Sequence, residues 1–236
     1  MSGCTLVLLH GLGRTSRSMR CMAREGVRRG YRVHNLDYPS RRESVLAHAE
    51  QIGRTLAAMP TDDPLHVVTH SMGGIVLRAA VARGWVLAER IGRVVMLAPP
   101  NSGSELADWL GRTPLLRLVL GPAGPELRTG PESIPNALPP VSFEVGVIAG
   151  AVKRRTLAAP CFEGPHDGKV SVHRACVAGM RELLVVPCGH TFIMNAPDVI
   201  AQTFHFLERG AFDCQRRDVG GRIAAVSVAE ARGDEQ

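Results

Sequence analysis

A serine stands between a predicted strand and two glycines in residues Thr69–Gly74, whose sequence is Thr-His-Ser-Met-Gly-Gly. The residues before the serine, Leu65–Thr69, indicate a buried strand, and residues 72–83 follow with helical spacing. A serine on such a sharp strand-to-helix turn projects its hydroxyl clear of the sheet, where it is able to attack a substrate. The segment therefore predicts a nucleophile at Ser71.

At one position this turn differs from the usual pattern of a strand-to-helix turn that carries a nucleophilic serine. Backbone crowding at such a turn demands small neighbours, and Gly73 and Gly74 supply that room on the helix side. On the strand side the usual glycine is replaced by Thr69. Threonine is larger than glycine, so the turn has to accommodate a branched side chain close to Ser71.

A second glycine-rich segment, His10–Gly13, follows the first predicted strand and has the sequence His-Gly-Leu-Gly. With residues Thr69–Gly74 it makes the chain resemble an α/β-hydrolase, in particular the small bacterial lipase- and esterase-like members, over residues 5 to about 210. In that family backbone N–H groups beside such a motif face the developing oxyanion, and glycines let the chain approach the substrate closely. The resemblance implies the amides of Leu12 and Met72 as the oxyanion donors. It also implies a supporting role for the motif residues His10, Gly11, Gly13, His70 and Gly73.

The segment His10–Gly13 also fits a tight turn or part of a dinucleotide-binding loop. A dinucleotide-binding loop needs a third glycine three residues further on, where the sequence has Ser16. It also needs an acidic residue at the end of the next strand, where only Asp37 stands. The resemblance to an α/β-hydrolase is therefore the preferred interpretation of this segment.

A serine nucleophile requires a general base, and histidine serves because its ordinary pKa lies near neutrality. Of the nine histidines, His190 lies between the last predicted strand and the last predicted helix. The resemblance implies that this loop carries the catalytic histidine, and the alternative is a histidine that caps a helix or a turn. His66 and His70 have the spacing of a metal pair on one strand face, but no acidic residue accompanies them on that strand.

The third catalytic residue must hold the imidazole in the right tautomer and stabilise its protonated form. In this family the acidic residue lies between the serine and the histidine along the chain. Asp167 is favoured, because residues 164–170 follow the fifth predicted strand and resemble the family's Asp-Gly-x-Val loop. An ordinary Asp-Gly turn is the alternative interpretation. The reserve candidates for the acid are Glu105 and Asp108.

Predicted strands alternate with helical segments along the chain, which indicates an α/β fold of about six strands, mostly parallel, with helices on both faces. The strands are Thr5–Leu9, Tyr31–Leu36, Leu65–Thr69, Val94–Ala98, Val145–Ala149 and Leu183–Val186, and the helices cover 19–29, 43–58, 72–83 and 196–209. Residues 1–212 are predicted to form one α/β-hydrolase domain with a lid- or cap-like insertion at about 101–140, which contains a helix candidate at 106–120. An ordinary surface excursion is the alternative for the insertion. The polar residues 213–236 are predicted to form a flexible tail.

The composition is that of a globular protein that needs no metal or disulfide to hold its core, with 236 residues, of which 45% are hydrophobic and 21% charged. The formal charge of +6 comes from arginines spread along the chain without a long run. This pattern argues against a nucleic-acid partner and supports at most a weak contact with anionic membrane surfaces. No early segment has the form of a signal peptide, and no apolar run approaches the length of a membrane span. The six scattered cysteines are typical of core residues in a reducing compartment, so we expect a cytoplasmic protein.

Together these features predict a serine hydrolase that cleaves a carboxylic ester through Ser71, His190, Asp167 and an acyl-enzyme, without a metal ion or organic cofactor. The apolar stretch Leu115–Leu120 in the insertion favours a small-molecule or lipid-like acyl substrate. A thioesterase or an acyltransferase would use the same triad, and the fold does not choose among these chemistries. A further alternative is a non-catalytic binding protein on a hydrolase scaffold.

Overall fold

The protein, seen here in a computed structural model, is described over residues 4–60, 63–111, 120–152, 161–213 and 224–226. Seven strands in these ranges form one sheet, and most residues of its central strands are buried. In chain order the strands are β1 (Thr5–Leu9), β2 (Arg32–Leu36), β3 (Leu65–His70), β4 (Ile91–Leu97), β5 (Val145–Gly150), β6 (Glu182–Val186) and β7 (Ala224–Val226).

The strand order across the sheet is β2-β1-β3-β4-β5-β6-β7, in which β1 to β6 are parallel and β7 is antiparallel to β6. This arrangement confirms the predicted fold class. The seventh strand lies within the segment 213–236 and is not indicated by the sequence, because three residues are too few for a periodic pattern. The residues on either side of it, 214–223 and 227–236, lie outside the described ranges.

Helices connect the parallel strands close to the predicted positions. The helix that leads away from β2 is capped at its N-terminus by Ser44, whose hydroxyl accepts from the amide of Ala47 at 3.1 Å. The last helix is capped at its C-terminus by Gly210 in the left-handed conformation. The α-helices of more than four residues are α1 (Arg20–Arg28), α2 (Val45–Ala57), α3 (Met72–Ala82), α4 (Glu105–Leu110) and α5 (Pro197–Arg209). Shorter helical turns lie at Ser16–Met19, Ala88–Arg90, Ala123–Glu126, Ile134–Ala137, Val172–Ala175 and Ile193–Asn195. Of the helix candidate at 106–120, the first part belongs to α4, and residues 112–119 lie outside the described ranges.

Alternate residues of each central strand enter two apolar cores, one on each face of the sheet. From β1, Leu6 and Leu8 pack in the core that α1 and α5 cover, where they join Phe204. Val7 and Leu9 point the other way, into the core that α2 and α3 cover. Because the sheet is covered on both faces, the carboxyl ends of its strands are held in fixed positions relative to one another.

A buried arginine of α3 joins the two ends of the insertion. The Arg78 guanidinium donates through Nη1 to the carbonyl and side-chain oxygens of Asn101, at 2.9 and 3.2 Å. Through Nη2 it donates to the carbonyls of Leu138 and Pro139, both at 3.3 Å. Burial lowers the pKa of Arg78 to about 10, because the charge is taken out of water. Both ends of the segment 101–140 are therefore hydrogen-bonded to one side chain of α3.

The burial of the cysteines and the apolar character of the helices can be compared with the predictions made from the sequence. Five cysteines lie in the described ranges, and all five are free thiols. The prediction that the cysteines are core residues is wrong for Cys21, which is exposed. Cys4, Cys176 and Cys188 are partly buried and pack against the two apolar cores, and Cys161 is partly buried. No helix in the described ranges has both the length and the apolar character that crossing a bilayer requires.

Replacing Arg78 by Met (R78M) tests the connection between α3 and the insertion. The substitution removes donors from four acceptors in and around the protein interior, and we expect the free energy of unfolding to fall by about 2 kcal/mol. The matched control is R83M, at the exposed end of the same helix, for which we expect a change within about 0.5 kcal/mol. Urea unfolding followed by circular dichroism measures both variants. Equal stability of the two would show that Arg78 does not hold the insertion.

Candidate active site

The turn that carries Ser71 holds this residue in a backbone conformation that L-residues rarely adopt. Ser71 directly follows β3 and has φ +52° and ψ −125°. Its amide donates to the carbonyl of Leu97, at the end of the neighbouring strand β4, at 2.9 Å. Such a conformation costs about 1–3 kcal/mol and persists only where the surrounding contacts impose it. Since α3 begins at the next residue, the side chain of Ser71 stands at the carboxyl edge of the sheet.

The branched side chain of Thr69 fits into the turn because glycine stands at position 74. Thr69 is fully buried, and a Cβ at Gly74 would lie 3.2 Å from its Oγ1. Within the described part of the chain that hydroxyl has no hydrogen-bond partner, which reduces stability. The departure from glycine on the strand side is thus accommodated by the glycine on the helix side.

The structure brings Ser71, Asp167 and His190 into one hydrogen-bonded line. His190 Nε2 lies 2.9 Å from Ser71 Oγ, although 119 positions separate the two residues along the chain. His190 Nδ1 lies 2.7 Å from Asp167 Oδ2. An ionised carboxylate only accepts, so Nδ1 carries the proton and donates it to Asp167, and the Nε2 lone pair accepts from the serine hydroxyl. The three side chains predicted to converge therefore do so.

The loop around Asp167 fixes the carboxylate that orients His190. Asp167 Oδ1 accepts from the amides of Lys169 and Val170, both at 2.9 Å. The amide of His190 donates back to the carbonyl of Asp167 at 3.0 Å. Gly168 has φ +97°, a conformation that suits glycine, and it lets the chain turn between these contacts. The Asp-Gly turn and the orienting carboxylate are thus parts of one feature rather than alternatives.

The reserve candidates Glu105 and Asp108 have other partners. Glu105 accepts from the amide and the hydroxyl of Ser171 and forms an ion pair with Arg174 at 3.2 Å. Asp108 accepts from the amide of Thr129 at 3.2 Å and from its hydroxyl at 2.6 Å. Both carboxylates are therefore engaged in holding the insertion and the loop after Asp167.

The buried side chain of His70 is hydrogen-bonded to the loop that carries His190. Its Nε2 donates to the carbonyl of His190 at 3.0 Å, and the two rings lie with centroids 5.0 Å apart. Burial, together with the proximity of His190, keeps the pKa of His70 well below its ordinary value, so the ring is neutral. His70, which precedes Ser71 in the chain, therefore fixes the backbone of His190, whose ring contacts Ser71.

The His-Gly-Leu-Gly loop packs directly against the serine turn. A Cβ at Gly11 would lie 3.0 Å from Ser71 Cβ, and a Cβ at Gly73 would lie 2.8 Å from the backbone carbonyl at the end of β1. Glycine is required at both positions for this close approach. On either side of the contact, the amides of Leu12 and Met72 have no acceptor among the described residues, and Met72 is the first residue of its helix. Both amides are thus available to a ligand.

His10 lies in a buried site behind this loop. Its ring stacks on Tyr38 with centroids 4.2 Å apart, and its Nδ1 donates to the carbonyl of Gly11 at 3.0 Å. Burial lowers the pKa of His10, so the ring is neutral and its Nε2 accepts from the amide of Tyr38 at 3.3 Å. Gly13, at φ +68°, donates its amide to Ser40 Oγ at 3.0 Å. The two motif residues therefore position the loop.

The proposed alternative of a metal pair at His66 and His70 has no support in the structure. His66 Nδ1 accepts from the amide of Arg93 at 3.0 Å, whereas His70 is bonded to the histidine loop. Over the described ranges, no three or more His, Cys, Asp or Glu side chains are grouped so that they could hold a metal ion.

A cavity of about 230 Å³ is lined by Ser71 and His190 and by three cationic residues that no motif in the sequence marks. Its apolar wall consists of Leu12, Leu106, Leu110, Leu120, Leu127 and Val170, and the cations are Arg14, Arg41 and Lys169. Two of these cations could be found from their positions in the sequence. Arg14 directly follows the His-Gly-Leu-Gly segment, and Lys169 occupies the variable position of the Asp-Gly-x-Val loop. Neither motif specifies the residue type at these positions, so the motifs alone do not reveal the charge.

Comparison with known proteins gives a match to one family model. The family model described as "Alpha/beta hydrolase family" matches residues 6–203. A search of curated proteins finds no match.

Solved structures of similar fold include several hydrolases. The mature lipase BlEst2 of Bacillus licheniformis has a TM-score of 0.70 and 19% identity, over 86% of this chain and 91% of that chain. The metagenomic carboxyl esterase MGS0156 has a TM-score of 0.66 and 19% identity, over 89% of this chain and 77% of that one. YbtT, the type II thioesterase of the yersiniabactin biosynthetic pathway, has a TM-score of 0.55 and 16% identity, over 89% and 93%. At these identities the similarity is one of fold.

The paired glycines of the turn give a test with an internal control. Alanine at position 73 (G73A) places a Cβ 2.8 and 2.9 Å from two backbone carbonyl oxygens of residues 9 and 10, which have little freedom to move. Alanine at position 74 (G74A) meets side-chain atoms at 3.2 to 3.3 Å, which yield more easily. We expect G73A to lower the free energy of unfolding by about 1–3 kcal/mol and G74A to lower it by less. Urea denaturation of the two variants measures this difference, and a G73A protein as stable as G74A would contradict the close packing of loop and turn.

Proposed function

This chain belongs to the alpha/beta hydrolase family, and on that premise we propose that it is a serine hydrolase that cleaves a carboxylic ester through Ser71, His190 and Asp167. The observation that carries the proposal is the contact of His190 with both partners, at 2.9 Å to Ser71 Oγ and 2.7 Å to Asp167 Oδ2. In this geometry a base lies within proton-transfer distance of an otherwise weak nucleophile. The buried carboxylate holds that base in the tautomer the reaction needs.

The first half of the reaction forms an acyl-enzyme. His190 Nε2 takes the proton of Ser71 Oγ as the oxygen attacks the carbonyl carbon of the ester, and the carbonyl oxygen becomes an oxyanion. The amides of Leu12 and Met72 donate to that oxyanion. The bond to the alcohol oxygen then breaks, the leaving alcohol takes the proton from Nε2, and the acyl group remains on Ser71.

The second half returns the enzyme to its starting state. Water gives a proton to His190 Nε2 and attacks the acyl carbon, and the same two amides bind the second oxyanion. The bond to Ser71 Oγ breaks, and the serine recovers its proton from Nε2. Each half cycle passes one proton through His190, and Asp167 stabilises the imidazolium each time without taking that proton.

The cavity wall supports an apolar acyl group. Leucines from the insertion, among them Leu106, Leu110 and Leu127, line the space next to Ser71. Burying an acyl chain against such a wall contributes about 0.8 kcal/mol for each methylene. A thioester offers the same carbonyl to the same serine. A panel of substrates that pairs oxygen esters with thioesters of equal acyl length therefore compares the two classes directly.

Labelling by a fluorophosphonate probe tests the proposed nucleophile. The probe phosphonylates an activated serine, so we expect wild type to label and the variant S71A not to label. Removing the general base in H190A should slow labelling by about 10²–10⁴-fold. Labelling rates are read from gel fluorescence, and the modified residue is located by peptide mass spectrometry.

A histidine outside the site provides the matched control. His173 is exposed in the helical turn Val172–Ala175, and H173A should label at the wild-type rate. If wild type stays folded and neither labels nor hydrolyses any ester or thioester of the panel, the proposal is wrong and the alternative of a binding protein on this scaffold is favoured.

A further inference from the structure

The cavity beside Ser71 combines an apolar wall with a group of cationic side chains. Arg14, Arg41 and Lys169 line it, and no Asp or Glu is among the described residues of its lining. A partly enclosed space with charges of one sign attracts and concentrates ligands of the opposite sign. The positive charge of the lining therefore favours a substrate that carries a negative charge.

Arg14 has only neutral partners in the described part of the chain. Its Nη2 donates to the carbonyl of Thr191 at 3.2 Å, and its guanidinium carbon lies 5.8 Å from the centre of the Phe192 ring. A guanidinium offers five N–H donors in a planar fork that matches a carboxylate or a phosphate. One contact to a carbonyl leaves most of those donors available.

Among the residues that the structure describes, Lys169 forms no ion pair. Its amide donates to Asp167 Oδ1, and its carbonyl accepts from the hydroxyl of Ser104 at 2.7 Å, so the backbone is firmly held. The Asp167 carboxylate is already committed, with Oδ2 bonded to His190 and Oδ1 accepting from two amides. Across the described ranges, no carboxylate forms an ion pair with the Lys169 ammonium. Within the same ranges, the hydrogen bonds of Lys169 involve its backbone and not its ammonium.

The two cations act on one another. Burial lowers the pKa of the Lys169 ammonium, the nearby Asp167 carboxylate opposes that effect, and the Arg14 guanidinium adds to it. Holding two like charges in a partly buried space reduces stability unless a counter-charge arrives. An anionic group bound between Arg14 and Lys169 would remove that penalty.

The location of Arg14 and Lys169 bears on which part of the ester each would contact. His190 Nε2 must protonate the leaving alcohol, so that alcohol lies beside His190. Arg14 is bonded to Thr191, the residue after His190. Lys169 lines the same cavity, and its ammonium lies close enough to Arg14 and Asp167 for their charges to act on it. The leucines of the insertion form the remaining wall, which suits the acyl chain.

Resting on the proposed function, we propose that the substrate is an apolar acyl ester with an anionic oxygen group, a phosphate or a carboxylate, on the alcohol side, held by Arg14 and Lys169. The acyl chain lies against the leucines. The anionic group neutralises the two cations before and during the attack of Ser71, and it departs with the alcohol.

Two matched pairs of esters test this inference and distinguish the two kinds of anion. One pair is octanoylglycerol and octanoylglycerol phosphate, and the other is the octanoyl ester of nitrophenol with and without a ring carboxylate. For each pair the readout is the selectivity, defined as the kcat/KM of the anionic ester divided by that of its neutral partner. We expect wild type to favour at least one anionic ester by about tenfold or more.

Charge-removing variants connect the selectivity to the two cations. We expect K169M and R14M each to lower the selectivity about tenfold or more, and K169R to retain most of it because the charge remains. The matched control is R24M, an exposed arginine of α1 outside the cavity, which should keep the wild-type selectivity. A general loss of structure would lower both members of a pair alike and leave the ratio unchanged.

The outcomes separate this inference from the proposed function. If wild type hydrolyses the neutral esters, S71A does not, and neither anionic ester is favoured in wild type or affected by K169M, this inference is wrong and the proposed function stands. If wild type hydrolyses none of the four esters and does not react with the fluorophosphonate, both are wrong.

Discussion

The site depends on one imidazole that is held between a carboxylate and a hydroxyl. His190 is able to bridge Asp167 and Ser71 only because β3, β5 and β6 are parallel, so that the segments that follow them meet at one edge of the sheet. The bridge is then fixed from several directions, by the His70 side chain on the carbonyl of His190 and by the amide of His190 on the carbonyl of Asp167. These contacts together hold the His190 ring and its backbone in place between Asp167 and Ser71.

The site is built at the expense of local stability. Ser71 has a strained backbone, the buried hydroxyl of Thr69 has no partner among the described residues, and Lys169 shares the cavity with other cations. The two apolar cores on the faces of the sheet offset these costs, since β1 alone contributes residues such as Leu6 and Val7 that are fully buried. Strain concentrated at one edge of a well-packed sheet is typical of a functional site.

Much of this arrangement is predictable from the sequence because the physical signals are local. The predicted strand Thr5–Leu9 has the observed bounds, since a continuous apolar run is what a strand buried on both faces requires. β4 begins three residues before the predicted Val94, because Gly92 and Arg93 interrupt the apolar run. The convergence of Ser71 with His190 and Asp167 is predictable because Ser71 and Asp167 lie in short motifs and His190 lies in the loop between the last strand and the last helix. The charges of Arg14 and Lys169 were missed, since a shared cavity is a property of the fold rather than of any local pattern.

The most direct test of the account is a mutant cycle on Ser71, Asp167 and His190, read as kcat/KM for an octanoyl nitrophenyl ester. Residues that act as one catalytic unit are strongly non-additive, so the triple variant S71A/D167A/H190A should be no slower than S71A alone, within about threefold. Circular dichroism verifies that each variant is folded. Losses that multiply from one substitution to the next would mean that the three side chains act independently, and would contradict the central claim that His190 couples the other two.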